Sequence, residues 1–205
     1  EVSFAGFTGI VDALGGIEVC SKVAIDDPKS HLVLAAGTHT LNGIEALKYV
    51  RTRDFDGRGD IGRMERQQQF VSAVLRKATS SGVLLNPIKL TNFYNAAISS
   101  VKMDAGVTKN DLLTLAKQLR NLSSGNVRTL TVPISNPNGR HPTAGSVVIW
   151  DDVLAANLWT KIRNDEALLE TVKPTASASA KPVTIDKFKT KTAADNPCAA
   201  IDSRA

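Results

Sequence analysis

The chain has 205 residues, 42% of them hydrophobic and 22% charged, with a net charge of +5. That is an ordinary globular composition, long enough for one core and a tail. The positive charge is spread along the chain and aromatics make up only 5%. This argues against a polycation or a nucleic-acid surface, where stacking platforms would interleave the arginines.

In chain order, the pattern predicts a helix over 4–14, closed by Gly15 and Gly16, then a strand over 17–22. Residues 37–41 lead into a short helix capped by Asn42. If residues 47–53 are extended, Arg51 and Arg53 share one face with Leu47 and Tyr49. A glycine-rich loop over 54–59 then opens a helix over 61–78, with Met64, Phe70, Val71, Val74, Leu75 and Ala78 at helical spacing. Asn86 and Pro87 start another helix, striped by Leu90, Phe93, Tyr94, Ala97 and Val101. Thr108, with Asp111 three residues on, opens a further helix through Leu122. Strands are expected over 128–133 and 146–150, flanking a polar loop over 136–145 that holds Arg140 and His141. Asp151 or Asp152 caps a helix to Arg163 that buries Leu154, Leu158 and Ile162. Helices and strands alternate, so the fold class is α/β. After a domain over 1–173, residues 174–205 shift to Ala, Ser, Thr, Lys and Pro and read as a flexible linker and tail. No run of about 18 apolar residues and no signal peptide is present.

The stretch YVRTRDFDGRGDIGRMERQQQ, residues 49–69, concentrates Arg51, Arg53, Arg58, Arg63 and Arg66 among four acids and three consecutive glutamines. Arginine offers a flat fork of donors that matches phosphate oxygens and stays charged. On the 61–78 helix, Arg63 and Gln67 fall inside the apolar arc, with Arg66 on its edge. Polar groups on a core-facing stripe are costly unless satisfied. Both also lie in the first turns, where free N–H groups favour an anion. A phosphate pocket is therefore the leading reading. Arg58, Arg66 and Arg76 also read as solvated or paired with Asp54, Asp56, Asp60 or Glu65. Asp54 and Asp56 could hold a metal, but one D-x-D in such a loop is commonly turn chemistry. The triplet Arg58-Gly59-Asp60 matches an adhesion tripeptide too short to count.

Cys20 and Cys198 stand without a C-x-x-C or a histidine cluster, which argues against a metal site. A Cys20–Cys198 disulfide suits an exported protein and would tie the tail to the domain; two thiols in a cytosolic protein is the alternative. His31, His39 and His141 are scattered and read as surface or loop residues.

The 49–69 stretch resembles the signature of the LytR-CpsA-Psr phosphotransferases. The similarity continues in FTGIVDALGGIEV (7–19) and AAGTHTLNGIEALKYVR (35–51), and more loosely in VPISNPNGRHPTAGSVVIWDD. TKTAADNPCAA resembles a segment that follows the domain in actinobacterial members. The resemblance implies an α/β/α sandwich around a central mixed sheet, of which this chain supplies roughly the second half. It implies a transferase on the outer face of the cytoplasmic membrane. The substrate would be a glycopolymer on a polyprenyl-pyrophosphate carrier, transferred through a phosphodiester to peptidoglycan or to a cell-wall protein. Arg51 and Arg53 match the family's R-x-R pair, Arg63 its R-x-x-R-Q arginine, and Gln67 the glutamine that follows. Arg51, Arg53 and Arg63 are the expected catalytic residues, and Arg66 and Gln67 join them in binding the pyrophosphate. Mg²⁺ is implied as cofactor. Its ligands are expected in the domain's N-terminal half, which would be a partner on another chain if it is not joined to this one. A non-catalytic module that binds a phosphate-rich glycopolymer or lipid headgroup is the main alternative, with a nucleic-acid-binding regulator behind it.

Overall fold

A computed structural model describes residues 3–53, 55–80, 123–172 and 183–195, with Ile88, Thr91, 94–96, Ile98, 106–108, 110–112, Thr114 and Cys198. The chain is α/β and forms two compact units, Glu1–Val127 with Thr192–Ala205, and Arg128–Lys191.

In the first unit, the Ser3 side chain accepts from the Gly6 N–H and caps helix α1 (Phe4–Ala13). Gly15 and Gly16 follow at φ 73° and 87°, a region that side chains with a Cβ disfavour, and turn the chain into strand β1 (Ile17–Ser21). Strands β2 (Ile25–Asp27) and β3 (Leu32–Leu34) pair antiparallel, with Ile25 opposite Leu34. Strand β4 (Gly37–Leu41) returns antiparallel to β1, with Ile17 opposite Leu41. Helix α2 (Gly43–Arg51) opens on a capping box between Asn42 and Glu45. Helix α3 (Gly59–Ser80) then lies against β1 and α2. Val11, Leu14, Ile17, Ile25, Leu41, Tyr49 and Phe70 form the core, and the Phe7 and Phe70 rings stand 5.3 Å apart. Burial pushes the Tyr49 hydroxyl up to about 12, against an opposing pull from the Arg66 charge.

Within the extended stretch expected over 47–53, residues 47–51 are helix instead, and Thr52 and Arg53 follow it outside any regular element. The capping box starts α2, and Ala46 and Tyr49, three apart, are both buried. The helix therefore propagates past the short segment the sequence suggested and stops at Thr52, at φ −57° and ψ 135°. Arg51 and Arg53 consequently do not share a strand face.

Gly43 marks a close approach between α1 and α2. A Cβ there would lie 2.5 Å from the Thr8 carbonyl oxygen and 2.7 Å from the Thr8 Cα. In an open helix, Gly→Ala would gain up to about 1 kcal/mol. Here backbone must move, so Gly43→Ala is expected to lose about 1–3 kcal/mol in denaturant unfolding. A gain in stability would refute the tight contact.

The tail is fastened to this unit. Cys20 and Cys198 form a disulfide with Cα atoms 5.6 Å apart, joining residues 178 apart in sequence. Arg76 donates to the carbonyls of Ala193 (2.7 Å) and Asp195 (3.1 Å). Burial holds the Arg76 guanidinium below its usual value, opposed by the charges of Glu18 and Asp195. Arg76 thus binds backbone carbonyls, where solvent or an acid of the 54–65 stretch was expected.

In the second unit, the strand expected over 128–133 is confined to β5 (Arg128–Thr129). Strands β6 (Ile134–His141) and β7 (Gly145–Trp150) form a hairpin closed by Gly145 at φ 75°. This replaces the polar loop expected over 136–145. Register shifts on either side of Asn136 accommodate Pro137, which lacks an N–H, and Gly139 leaves room for the Ile149 side chain. Arg140 and His141 sit exposed on β6. Helix α4 (Asp152–Arg163) is capped by Asp151, whose carboxylate accepts from the Leu154 N–H. It buries Ala155 and Leu158; Leu154 is half-buried and Ile162 is 54% exposed. The buried line is rotated by one position from the Leu/Ile stripe. Strands β8 (Glu170–Val172) and β9 (Val183–Ile185) pair antiparallel.

The helix expected from Asn86 lies largely outside the described residues, although Ile88, Thr91, 94–96 and Ile98 are helical. The Thr108–Asp111 capping box forms, and the rest of that helix beyond Thr114 lies outside them. So do residues 174–182 of the linker and tail expected over 174–205, whereas Val183–Ile185 within it is strand. Among the described residues, no helix is long and apolar enough to cross a membrane.

Candidate functional site

The arginine-rich segment runs from the end of α2 into the first turns of α3. Arg53 and Arg63 converge on one carboxylate: Asp60 lies 2.6 Å from an Arg53 Nη and 2.8 Å from an Arg63 Nη. Both arginine side chains are open to solvent, 47% and 36% exposed. Two guanidiniums that close on the same oxygen pair define a position for an anion, with the Asp60 carboxylate standing where phosphate oxygens could bind. Asp60 in the first turn of α3 also meets the positive end of the helix dipole.

Among the described residues, Arg66 is the buried arginine, a reversal of the expected phase. Arg63 is only half-buried and Gln67 is exposed, while Gly62, Arg66, Phe70 and Ala73 form the inward line of α3. The apolar stripe misled because Val71 faces solvent. Arg66 donates to Asp56 Oδ2 at 3.0 Å and to the Thr52 carbonyl, and its guanidinium lies 4.7 Å from the centre of the Phe55 ring. Its Nε is buried without a hydrogen-bond partner. Asp56 also accepts from the Arg58 N–H and the Arg58 Nε, and Arg58 reaches Glu65 at 2.8 Å. For Asp56, burial acts to raise the pKa. The Arg58 hydrogen bonds and the Arg66 and Arg58 charges outweigh it and hold the carboxyl below its usual value. The Glu65 hydrogen bond raises Arg58, against desolvation. Gly62 belongs to this network, since a Cβ there would sit 2.9 Å from Asp56 Oδ2. The loop is thus pinned onto α3 by alternating charges, with Asp56 engaged in turn chemistry and ion pairs.

The remaining expected residues are placed separately. Gln67 Nε2 donates to the Val50 carbonyl at 3.1 Å, which ties α3 to the end of α2. The Arg51 guanidinium lies 5.3 Å from the centre of the Phe4 ring. Asp54 lies outside the described residues. The structure therefore joins Arg53 to Arg63 through Asp60 and buries Arg66 against Asp56, Thr52 and Phe55. Sequence reasoning missed two buried participants, Asp27 and Thr52. Asp27 precedes a proline at a strand end, a signal for a turn but not for the long-range contact with Arg53 described below.

Nothing among the described residues fits a magnesium site. No three of His, Cys, Asp or Glu cluster there. The acids beside the arginines are engaged as well: Asp27 by backbone N–H groups, Asp56 by Arg58 and Arg66, Asp60 by Arg53 and Arg63. A hard cation needs several oxygens not already held by cations.

The LytR_cpsA_psr family model matches residues 1–164. The chain is 40% identical over 151 residues to the cell wall biosynthesis protein LcpA of Corynebacterium glutamicum, a match that covers 74% of this chain and 29% of that protein. It is 32% identical over 123 residues to the polyisoprenyl-teichoic acid–peptidoglycan teichoic acid transferase TagU of Bacillus cereus, covering 59% of this chain and 38% of that one. Among solved structures, a LytR-Csp2A-Psr enzyme from Actinomyces oris superposes with a TM-score of 0.61 at 26% identity, over 78% of this chain and 61% of that one. The chain thus spans about a third of the length of these curated relatives.

Proposed function

The chain belongs to the LytR_cpsA_psr family, and from that premise we propose that it is part of an enzyme that transfers a glycopolymer from a polyprenyl-pyrophosphate carrier onto a cell-wall acceptor. The acceptor is a hydroxyl of peptidoglycan or of a cell-wall protein, and the work is done at the outer face of the cytoplasmic membrane. The convergence of Arg53 and Arg63 on one carboxylate carries this reading. In it, the pyrophosphate takes the place of Asp60 between the two guanidiniums, with Arg51 and Gln67 at the border.

The acceptor oxygen attacks the phosphorus that bears the sugar. The bond from that phosphorus to the bridging oxygen breaks, the hydroxyl proton is released, and polyprenyl phosphate departs. Phosphoryl transfer needs little covalent help; positioning and charge neutralisation dominate. Arg53 and Arg63 hold the diphosphate in place and neutralise the charge that grows on the departing phosphate. No step here is assigned to a metal. Magnesium, which this family reading includes, would draw its ligands from polypeptide outside the described residues.

A charge-assisted hydrogen bond is worth roughly 1.5–3 kcal/mol, so Arg63→Ala should slow transfer by about one to two decades. The assay follows labelled glycopolymer from its polyprenyl-pyrophosphate carrier into peptidoglycan, catalysed by the complete protein. Full activity in Arg63→Ala overturns the site. Binding of the carrier without turnover, with magnesium supplied, points instead to a non-catalytic module.

A further inference from the structure

The two polar ends of a single peptide group, the one joining Thr52 to Arg53, are each held by a buried charge. Arg66 donates from Nη2 to the Thr52 carbonyl. Asp27 Oδ2 accepts the Arg53 N–H at 2.8 Å. Arg66 is 5% exposed and Asp27 1%. Each clamp is itself anchored. Asp27 Oδ1 accepts the N–H groups of Lys29 (2.8 Å) and Ser30 (3.1 Å), which fixes it to the turn after β2. Arg66 is fixed by Asp56 and by the Phe55 ring. Between them, buried Thr52 donates its hydroxyl to the Lys48 carbonyl at 2.9 Å and sits 3.0 Å from the Ser30 hydroxyl.

A peptide plane held this way cannot rotate without breaking two charge-assisted hydrogen bonds, each roughly twice as strong as a neutral one. It lies where the chain leaves α2, and its orientation decides the direction in which Arg53 departs. Resting on the anion reading of Arg53 and Arg63, we propose that Asp27 and Arg66 are positioning residues that clamp the Thr52–Arg53 peptide so that Arg53 reaches the anion beside Arg63. Neither touches the substrate. Arg66 is consequently a clamp and not a pyrophosphate ligand.

The sign of one substitution separates this from simple electrostatics. Asp27→Asn removes a negative charge near an anion site, and charge alone would tighten binding. The clamp requires the opposite, because an amide nitrogen facing the Arg53 N–H cannot accept from it. Inorganic pyrophosphate is titrated by calorimetry into the full chain, as wild type, Arg53→Ala, Asp27→Asn and the double variant, with melting curves as a folding control. Asp27→Asn is expected to weaken binding about tenfold and to add nothing once Arg53 is gone. Unchanged or tighter binding, or a full additional loss in the Arg53→Ala background, overturns the clamp.

Arg66→Lys, which keeps the charge and loses the fork, should show the same non-additivity. If neither variant folds, amide exchange on the wild type decides. The Arg53 amide must be protected although it lies outside any helix or strand, and free exchange there ends the proposal. Arg53→Ala that binds pyrophosphate as well as wild type, or wild type that does not bind it, instead defeats the anion reading. The clamp would still register in the exchange experiment.

Discussion

Cys198→Ser is expected to lower the unfolding free energy by as much as about 5 kcal/mol. The disulfide closes a loop of 178 residues, and the entropy a cross-link removes from the unfolded ensemble grows with the logarithm of that loop. The folded side agrees, since Cys20 and Cys198 are both buried and Arg76 binds the tail independently through the Ala193 and Asp195 carbonyls. Equilibrium urea unfolding of oxidised wild type, reduced wild type and Cys198→Ser tests this. The last two should coincide, and Cys20→Ser should match them because half a disulfide contributes nothing. A difference between oxidised and reduced wild type below about 1 kcal/mol would show that the loop argument fails here.

Arg66→Met should cost about 3 kcal/mol, as expected when one partner of a buried ion pair is removed and the other remains. Methionine matches the stem and can still touch Phe55, but it leaves the buried Thr52 carbonyl without its donor and takes one of two guanidiniums from Asp56. The pH dependence gives a second check. Asp56 has its pKa lowered in the folded state, so its contribution is fully present above the ordinary carboxylate value of about 4 and is lost as pH falls through the lower folded value. Stability of the wild type should therefore fall in that acid window, and the slope should flatten in Arg66→Met. Denaturant midpoints measured from neutral pH down to the acid limb would decide. A variant as stable as wild type, with an unchanged acid slope, would show that Arg66 does not hold the loop.

Local chemistry was legible where a few neighbouring residues settle the outcome. Asn42 with Glu45 and Thr108 with Asp111 announced caps, because a side chain and a backbone N–H three residues apart meet in any helix start. Gly15 and Gly16 announced a turn, and Asp151 announced α4. The boundary errors have a local cause too. The arginines and Thr52 looked strand-compatible, yet the capping box and the buried pair Ala46 and Tyr49 drive α2 on to Arg51. Pro137 and Gly139 looked like loop, yet a hairpin with shifted register tolerates both.

The sequence by itself determined the α/β class, the placement of the caps, the two cysteines available to pair, and the concentration of arginine between residues 49 and 69. All of these follow from composition and short-range spacing. Only the tertiary structure decided which arginine is buried, since that depends on the rotation of α3 against β1 and α2. Arg66 took the inward position, and the valine expected there, Val71, faces water. Only the tertiary structure could bring Asp27 to Arg53 across 26 positions, or Arg76 to the tail across more than a hundred. Such contacts leave no periodic trace in the chain, because they are fixed by where whole elements pack and not by what lies three or four residues away.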